Sequence, residues 1–189
     1  SCSRLSPESN VNMNHDSVFD ALLIERIGNG NKKAANLLVK RWHKRLISFS
    51  YKLINNLEVA QDIVQDSWVM IFKNLRKLKD TQKFKTWAFR IVHNRSIDWA
   101  RKNKSTVDIN NADIDQGDSL ETEDKSAEII KILKRLKDKD RIILTLFYLE
   151  ENNIYEIAEI LGVPAGTVKS RIFYAREHLK KKYKEVYHE

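Results

Sequence analysis

Hydrophobic residues recur every three or four positions along most of this chain, and polar residues occupy the positions between them. Residues 31–53 keep this spacing over their whole length, and residues 59–78 and 86–102 repeat it. Such spacing is typical of amphipathic α-helices, because a period of 3.6 residues places these positions on one face. Five glycines and two prolines provide little of the turn chemistry that a many-stranded fold needs. The pattern therefore predicts an all-α protein.

The first half of the chain is predicted to contain a fourth, shorter helix at residues 16–27, which ends at Gly28. Val18, Leu22 and Leu23 are its expected inward positions. All four tryptophans of the chain fall in this half: Trp42, Trp68, Trp87 and Trp99. Aromatic side chains among arginines could stack on unpaired bases, although tryptophan in a small helical bundle more often belongs to the core. The pattern leaves both roles open.

Helical spacing resumes near residue 127 and leads into a second motif at 153–182. A predicted helix at 140–150 carries Ile142, Ile143, Leu146, Phe147 and Leu149 on its inward face.

The motif at 153–182 consists of two predicted helices joined by a tight turn. Asn153 and Glu156 form a capping-box pattern, Gly162 ends the first helix, and Pro164 stands where the second can begin. The second helix has an apolar stripe opposite a basic face; the stripe is Val168, Ile172, Ala175 and Leu179. This arrangement is typical of a DNA-binding helix-turn-helix, and an ordinary αα-hairpin with a charged outer face is the alternative.

The charge distribution divides the chain into domains. The net charge is +8. Residues 16–104 hold 19 basic and 8 acidic side chains, residues 105–124 hold seven acidic and no basic ones, and residues 125–189 hold 14 basic and 10 acidic ones. We predict two basic helical domains, at 16–104 and 125–189, joined by a flexible acidic linker at 105–124. Two basic domains indicate that the protein binds polyanions at two places. The alternative for each domain is a basic surface that is only solvated.

Several classes of site are not supported by the sequence. Cys2 is the single cysteine, so neither an internal disulfide nor a cysteine-based zinc site can form. The five histidines are scattered, and no Gly-rich phosphate loop is present, so we expect no enzyme activity, metal or cofactor. No apolar run reaches the ~20 residues of a membrane span, and no signal peptide is apparent, so we expect no membrane insertion and a cytoplasmic location. Residues 1–15 are interpreted as a disordered leader or a cloning remnant.

Three stretches carry a resemblance to a known family. They are EVAQDIVQDSWVMIFKNL (Glu58–Leu75), FKTWAFRIVHNRSIDWARK (Phe84–Lys102) and YEIAEILGVPAGTVKSRIFYAREHLK (Tyr155–Lys180). In this order, and across an acidic linker, they resemble the two conserved domains of bacterial extracytoplasmic-function sigma factors, the small alternative initiation factors of RNA polymerase.

The resemblance implies contacts with core RNA polymerase. Asp62, Gln65 and Asp66 resemble the residues that dock on the clamp coiled coil of the largest subunit, where carboxylates can meet basic side chains. The second domain would contact the flap.

The resemblance also implies a reader of the −10 promoter element, in which an extruded base of the non-template strand is captured by a loop and an asparagine. The implied residues are Lys79, Asp80, Thr81, Gln82 and Lys83 of the loop, Asn94 for the base, and Arg90 and Arg101 toward phosphates. Leu78-Lys79-Asp80 replaces the Phe-Arg-Gly of many relatives, so the −10 preference does not carry over.

In the second domain the resemblance implies a reader of the −35 element in the major groove. Its residues would be Lys169, Ser170, Phe173, Tyr174 and Arg176, with Arg171 toward the DNA backbone. Tyr174 stands where some relatives carry a basic residue, so the preferred bases are expected to differ.

We therefore expect an alternative sigma factor, monomeric when free, that recruits core polymerase to −35 and −10 elements and helps to open the duplex. The rival hypothesis is a helix-turn-helix regulator that acts without core polymerase. The resemblance also implies inhibition by an anti-sigma factor held between the two domains.

Overall fold

The computed structural model of the protein describes residues 11–103, 133 and 135–187. These residues form α-helices and short helical turns without any strand, which confirms the all-α prediction. The α-helices are α1 (Val11–Gly28), α2 (Lys32–Ile54), α3 (Leu57–Asn74), α4 (Phe84–Lys102), α5 (Asp138–Leu144), α6 (Ile154–Leu161) and α7 (Ala165–Tyr187). Two 3₁₀ turns, Leu75–Lys77 and Thr81–Lys83, precede α4, and a π-helix, Thr145–Leu149, follows α5.

The described residues divide into two compact units. The first contains α1 and the chain up to Tyr51, together with Asn56–Arg95; the second contains Lys52–Asn55 and the chain from Ser96 onward. The predicted linker at 105–124 lies outside the described residues, and the domain limits at 104 and 125 stay predictions. The helix predicted from Asp16 begins at Val11, so it includes part of the segment interpreted as a leader.

Aromatic side chains dominate the core of the first unit. Trp42 and Trp68 are buried, as are Phe49, Phe84 and Phe89. The ring of Phe49 lies 5.1 Å from that of Phe89, and Trp42 meets Phe84 and Phe89 edge-on, each with 6.3 Å between centroids. Two of the four tryptophans therefore belong to the core, whereas Trp87 and Trp99 are partly exposed.

A buried carboxylate fixes α1 to α2. Asp20 accepts hydrogen bonds from Nε1 of Trp42 and Nε of Arg41, both at 3.0 Å. Burial raises the pKa of the Asp20 carboxyl, while these hydrogen bonds and the Arg41 charge act in the opposite direction.

The inward face of α1 differs from the prediction. Leu23 is buried as expected, but Val18 and Leu22 are exposed, and Asp20 and Ile24 take the inward positions. The prediction was wrong because a buried stripe that includes a hydrogen-bonded carboxylate cannot be recognised from hydrophobic spacing alone.

The second unit contains the predicted helix-turn-helix. Both hydrogen bonds of the capping box between Asn153 and Glu156 are present, and Gly162 ends α6 with a left-handed φ of 65°. Val168, Ile172 and Ala175 of α7 are buried, which confirms the apolar stripe, while Leu179 is only half-buried.

Candidate nucleic-acid interface

The predicted −35 residues share the outer face of α7. Lys169, Ser170, Arg171, Phe173, Tyr174 and Arg176 are all exposed. Phe173 and Tyr174 each keep 60% of their surface accessible, and their rings meet edge-on with 5.4 Å between centroids. Two large aromatic side chains beside Lys and Arg, opposite a buried stripe, form a surface suited to a major groove, because aromatic faces can contact thymine methyls and cations can contact guanine edges.

Four of these side chains have partners within the second unit. The Ser170 hydroxyl donates to the Gly166 carbonyl at 3.0 Å. The guanidinium of Arg176 lies over the rings of Phe147 and Tyr148. Tyr174 has Phe173 beside it.

One further contact holds α7 just after this face. Nδ1 of His178 lies 2.6 Å from a carboxylate oxygen of Asp140 on α5. Since Asp140 is in the first turn of α5, the contact joins the start of that helix to α7.

The helix predicted at 140–150 ends earlier, and a π-helix replaces its second half. Ile143 and Leu146 are buried as predicted, whereas Ile142 and Phe147 are half-buried and Leu149 is exposed. The wider turn changes the direction of the side chains that follow it, and hydrophobic spacing at 3.6 residues does not reveal such a turn.

The predicted −10 loop is a capped 3₁₀ turn. The Asp80 carboxylate accepts a hydrogen bond from the Gln82 amide at 3.1 Å, and the Lys83 amide donates to the Asp80 carbonyl at 3.1 Å. Lys79, Gln82 and Lys83 are exposed, while Thr81 is half-buried. The acidic residue that replaces the usual glycine therefore has a structural role, since it orders the turn that presents its neighbours.

Asn94 lies farther along α4. It is exposed, and its Oδ1 lies 3.4 Å from Nδ1 of His93. Ten residues separate it from Phe84 at the start of α4, which corresponds to about 15 Å along the helix axis. Arg90 and Arg101 are also exposed, and Arg101 lies 3.9 Å from Asp98.

The predicted docking residues form one stripe on α3. Asp62, Gln65 and Asp66 are exposed, and their spacing of three and four residues keeps them on one face. Val69 continues this stripe with 65% of its surface accessible. The sequence reasoning missed it, although an apolar residue outside the buried stripe of α3 was a usable signal.

Asp66 and Arg95 form an ion pair between α3 and α4, with 2.9 Å between Oδ2 and Nη2. This ion pair connects the stripe on α3 to Arg95, the residue that follows Asn94 on α4.

The described residues provide neither a membrane-spanning helix nor a cluster of metal ligands. None of the helices in the described ranges is long and apolar enough to cross a membrane. Within the same part of the chain, no three His, Cys, Asp or Glu side chains cluster in a way that could hold a metal ion.

Comparison with known proteins identifies both helical regions. The family model described as sigma-70 region 2 matches residues 38–106, and the model described as sigma-70 region 4 matches residues 126–179. The ECF RNA polymerase sigma-E factor of Salmonella typhimurium is 30% identical over 183 residues, which cover 88% of this chain and 95% of that protein. SigW of Bacillus subtilis, an ECF RNA polymerase sigma factor, is 28% identical over 179 residues, with coverages of 86% and 96%.

Solved structures show the same fold. The sigma factor RpoE in complex with the anti-sigma factor NepR, from Bartonella quintana, gives a TM-score of 0.62 at 22% identity and covers 80% of this chain and 98% of that one. CnrH in complex with the cytosolic domain of CnrY gives a TM-score of 0.60 at 23% identity, with coverages of 86% and 96%.

The chain belongs to the sigma-70 family, in its extracytoplasmic-function group, which confirms the family indicated by the sequence motifs. It is an alternative sigma factor, a transcription initiation factor that acts with core RNA polymerase at promoters. A helix-turn-helix regulator that works without polymerase is not favoured.

Proposed function

We propose that the exposed face of α7 reads the −35 element and that the 3₁₀ turn with α4 reads the −10 element. The −35 assignment rests on the exposure of Phe173 and Tyr174 on a basic helix face. Two neighbouring aromatic side chains, each 60% exposed beside Lys169 and Arg176, offer a contact surface to DNA, which presents thymine methyl groups and flat base edges. Lys169 and Arg176 supply guanine contacts, and Arg171 contacts the backbone.

For the −10 element, the Asp80–Lys83 turn and Asn94 contact different nucleotides of the unpaired strand. The support is their separation of about 15 Å along the axis of α4. The amide of Asn94 pairs with the Watson–Crick edge of an extruded base, which offsets part of the cost of unstacking. Arg90 and Arg101 contribute sequence-independent attraction to phosphates.

The stripe on α3 binds the clamp coiled coil of core polymerase. Asp62 and Asp66 meet basic side chains of that partner and set the register, while Val69 provides an apolar contact among them. The second domain contacts the flap.

The protein catalyses no covalent reaction and acts in the cytoplasm, where it meets core polymerase. An anti-sigma factor holds it inactive; the support is that a solved structure of similar fold is a complex with the anti-sigma factor NepR. Such an inhibitor should release this protein from core polymerase. Promoter-specific transcription should fall to the same extent as this binding. Unchanged binding to core polymerase at saturating inhibitor would contradict this.

The test of the DNA contacts is transcription from a mapped promoter with single alanine variants. Asn94→Ala should lower the extent of −10 melting, measured with permanganate. Phe173→Ala should lower binding to the original promoter, and it should have no effect on a template whose −35 base pairs are replaced. Asn36→Ala, an exposed change on α2, is the matched control. If Phe173→Ala had the same effect on both templates, α7 would not read the −35 element.

A further inference from the structure

Arg176 lies in an aromatic clasp, by which we mean the rings of Phe147 and Tyr148. Its Cζ lies 5.2 Å from the Phe147 centroid and 5.4 Å from the Tyr148 centroid. The two rings meet edge-on at an interplanar angle of 86°, with 5.0 Å between centroids. Distances below about 6 Å from the ring centroid place the cation within range of both rings.

The π-helix sets the position of the clasp. The Glu150 amide donates to the Thr145 carbonyl at 2.9 Å, and this bond spans five residues rather than four. Thr145 and Leu146 are buried, so the start of the turn is anchored in the core. The π-turn is the last turn before the chain leaves the helix at Glu150, and Phe147 and Tyr148 lie in this wider turn.

The clasp leaves Arg176 accessible. Tyr148 keeps 48% of its surface exposed, and Arg176 itself is exposed. A guanidinium that contacts rings in this way keeps N–H donors free to point elsewhere, since it has five of them in a planar fork. The two rings are therefore placed to fix the direction of Arg176 while its donors stay available to DNA.

We propose that Phe147 and Tyr148 are positioning residues for −35 recognition, which hold Arg176 in the conformation that contacts DNA. The proposal rests on the proposed role of α7 at the −35 element. A free arginine loses side-chain freedom when it binds, and a side chain that is already ordered loses less, so the clasp raises promoter affinity without touching DNA.

The experiment uses the full chain with core polymerase on a mapped promoter. Phe147→Leu and Tyr148→Leu are made alone and with Arg176→Ala, and initial transcription is measured at limiting protein. Each leucine variant should lose about two- to five-fold in apparent promoter affinity, the range expected for an exposed cation–π contact. Combined with Arg176→Ala, neither should cause a further loss. Tyr155→Leu, which removes an aromatic ring that is 74% exposed on α6, is the matched control and should change nothing.

The outcomes separate the inference from the proposed function. If Arg176→Ala lowers transcription but the leucine variants do not, or if their losses add to that of Arg176→Ala, the clasp has no positioning role. If Arg176→Ala has no effect on templates with or without the −35 element, the proposed contact of Arg176 fails and the inference fails with it. Thermal unfolding shows whether each variant folds. If Phe147→Leu does not fold, Tyr148→Leu tests the positioning role, because the Tyr148 side chain is half-exposed.

Discussion

Asp66 and Arg95 form an ion pair that joins α3 to α4, with 2.9 Å between Oδ2 and Nη2. Asp66 belongs to the stripe proposed to bind core polymerase, and Arg95 follows the asparagine proposed to bind a base. A cation of the polymerase that approaches Asp66 competes with Arg95 for the same carboxylate. The two proposed surfaces of the first unit are therefore coupled through one exposed charge pair.

Neutralising Asp66 should weaken binding to core polymerase. With Asp66→Asn, we expect slower association and a weaker dependence of association on salt, because charges at the edge of an interface act mainly on encounter. The free energy of unfolding should change by no more than about 1 kcal/mol, since exposed ion pairs contribute little. Association of labelled protein with core polymerase at several salt concentrations measures the effect.

Arg95→Gln and Glu25→Gln are the controls for this charge. Arg95→Gln breaks the same ion pair but keeps the Asp66 carboxylate, and Glu25→Gln removes an exposed charge from α1. Neither should slow association with polymerase. Equal slowing by Asp66→Asn and Arg95→Gln would show that the ion pair matters for structure and that Asp66 is not a docking residue.

Val69→Asp should lower the affinity for core polymerase by tenfold or more, which corresponds to about 1.4 kcal/mol. The substitution places a charge where an apolar contact is proposed, but it leaves the core untouched because the side chain is 65% exposed. Equilibrium binding to core polymerase and thermal unfolding are measured together. Leu37→Asp, which changes an exposed leucine of α2, is the matched variant and should bind normally. Normal binding of Val69→Asp would exclude this stripe from the interface.

Asn153→Ala should destabilise the second unit by about 1 kcal/mol, within the range of about 0.5–2 kcal/mol for a lost helix cap. Its side chain accepts hydrogen bonds from the amides of Tyr155 and Glu156 at 2.9 and 3.0 Å. Denaturation of the full chain, followed by a probe in α7, measures the change. Asn153→Asp keeps the accepting oxygen and should restore most of the loss. An alanine variant as stable as the parent would show that the cap contributes nothing.

His93 should make the first unit less stable in mild acid. Burial lowers the pKa of this imidazole below its ordinary value of 6.5, and the ring lies 6.5 Å from that of Phe49. In the pH range between the lowered pKa and 6.5 the unfolded chain binds more protons than the folded chain. Stability therefore rises with pH in this range and is lost as the pH falls below 6.5. Asp20, whose pKa is raised from 3.8 by burial, contributes with the opposite sign as the pH rises from 3.8 through its raised pKa.

The measurement for His93 is denaturation at about pH 7.5 and about pH 5.5, on either side of the ordinary imidazole pKa. The parent should lose more stability between these values than His93→Gln does. The same loss in both proteins would contradict the assignment of this pH dependence to His93.

The helices and the turn between α6 and α7 could be predicted because local rules determine them. Asn153, Glu156 and Gly162 act on their immediate neighbours, so spacing alone indicates the cap and the stop. The face of α1 could not be predicted, because it depends on Asp20 meeting Trp42 from another helix. The aromatic clasp escaped prediction for a related reason, since it needs a π-turn and a contact between Arg176 and residues some 30 positions earlier. Interactions between distant residues leave no periodic trace in the sequence.

Transcription in vitro from total DNA of the source organism, with core polymerase lacking any sigma factor, tests the central claim most directly. Addition of this protein should produce a limited set of transcript 5′ ends, each preceded at a constant spacing by two shared sequence elements. Phe173→Ala should weaken use of the upstream element and Asn94→Ala use of the downstream one. Transcripts that start at random, or a protein that does not bind core polymerase, would contradict the account.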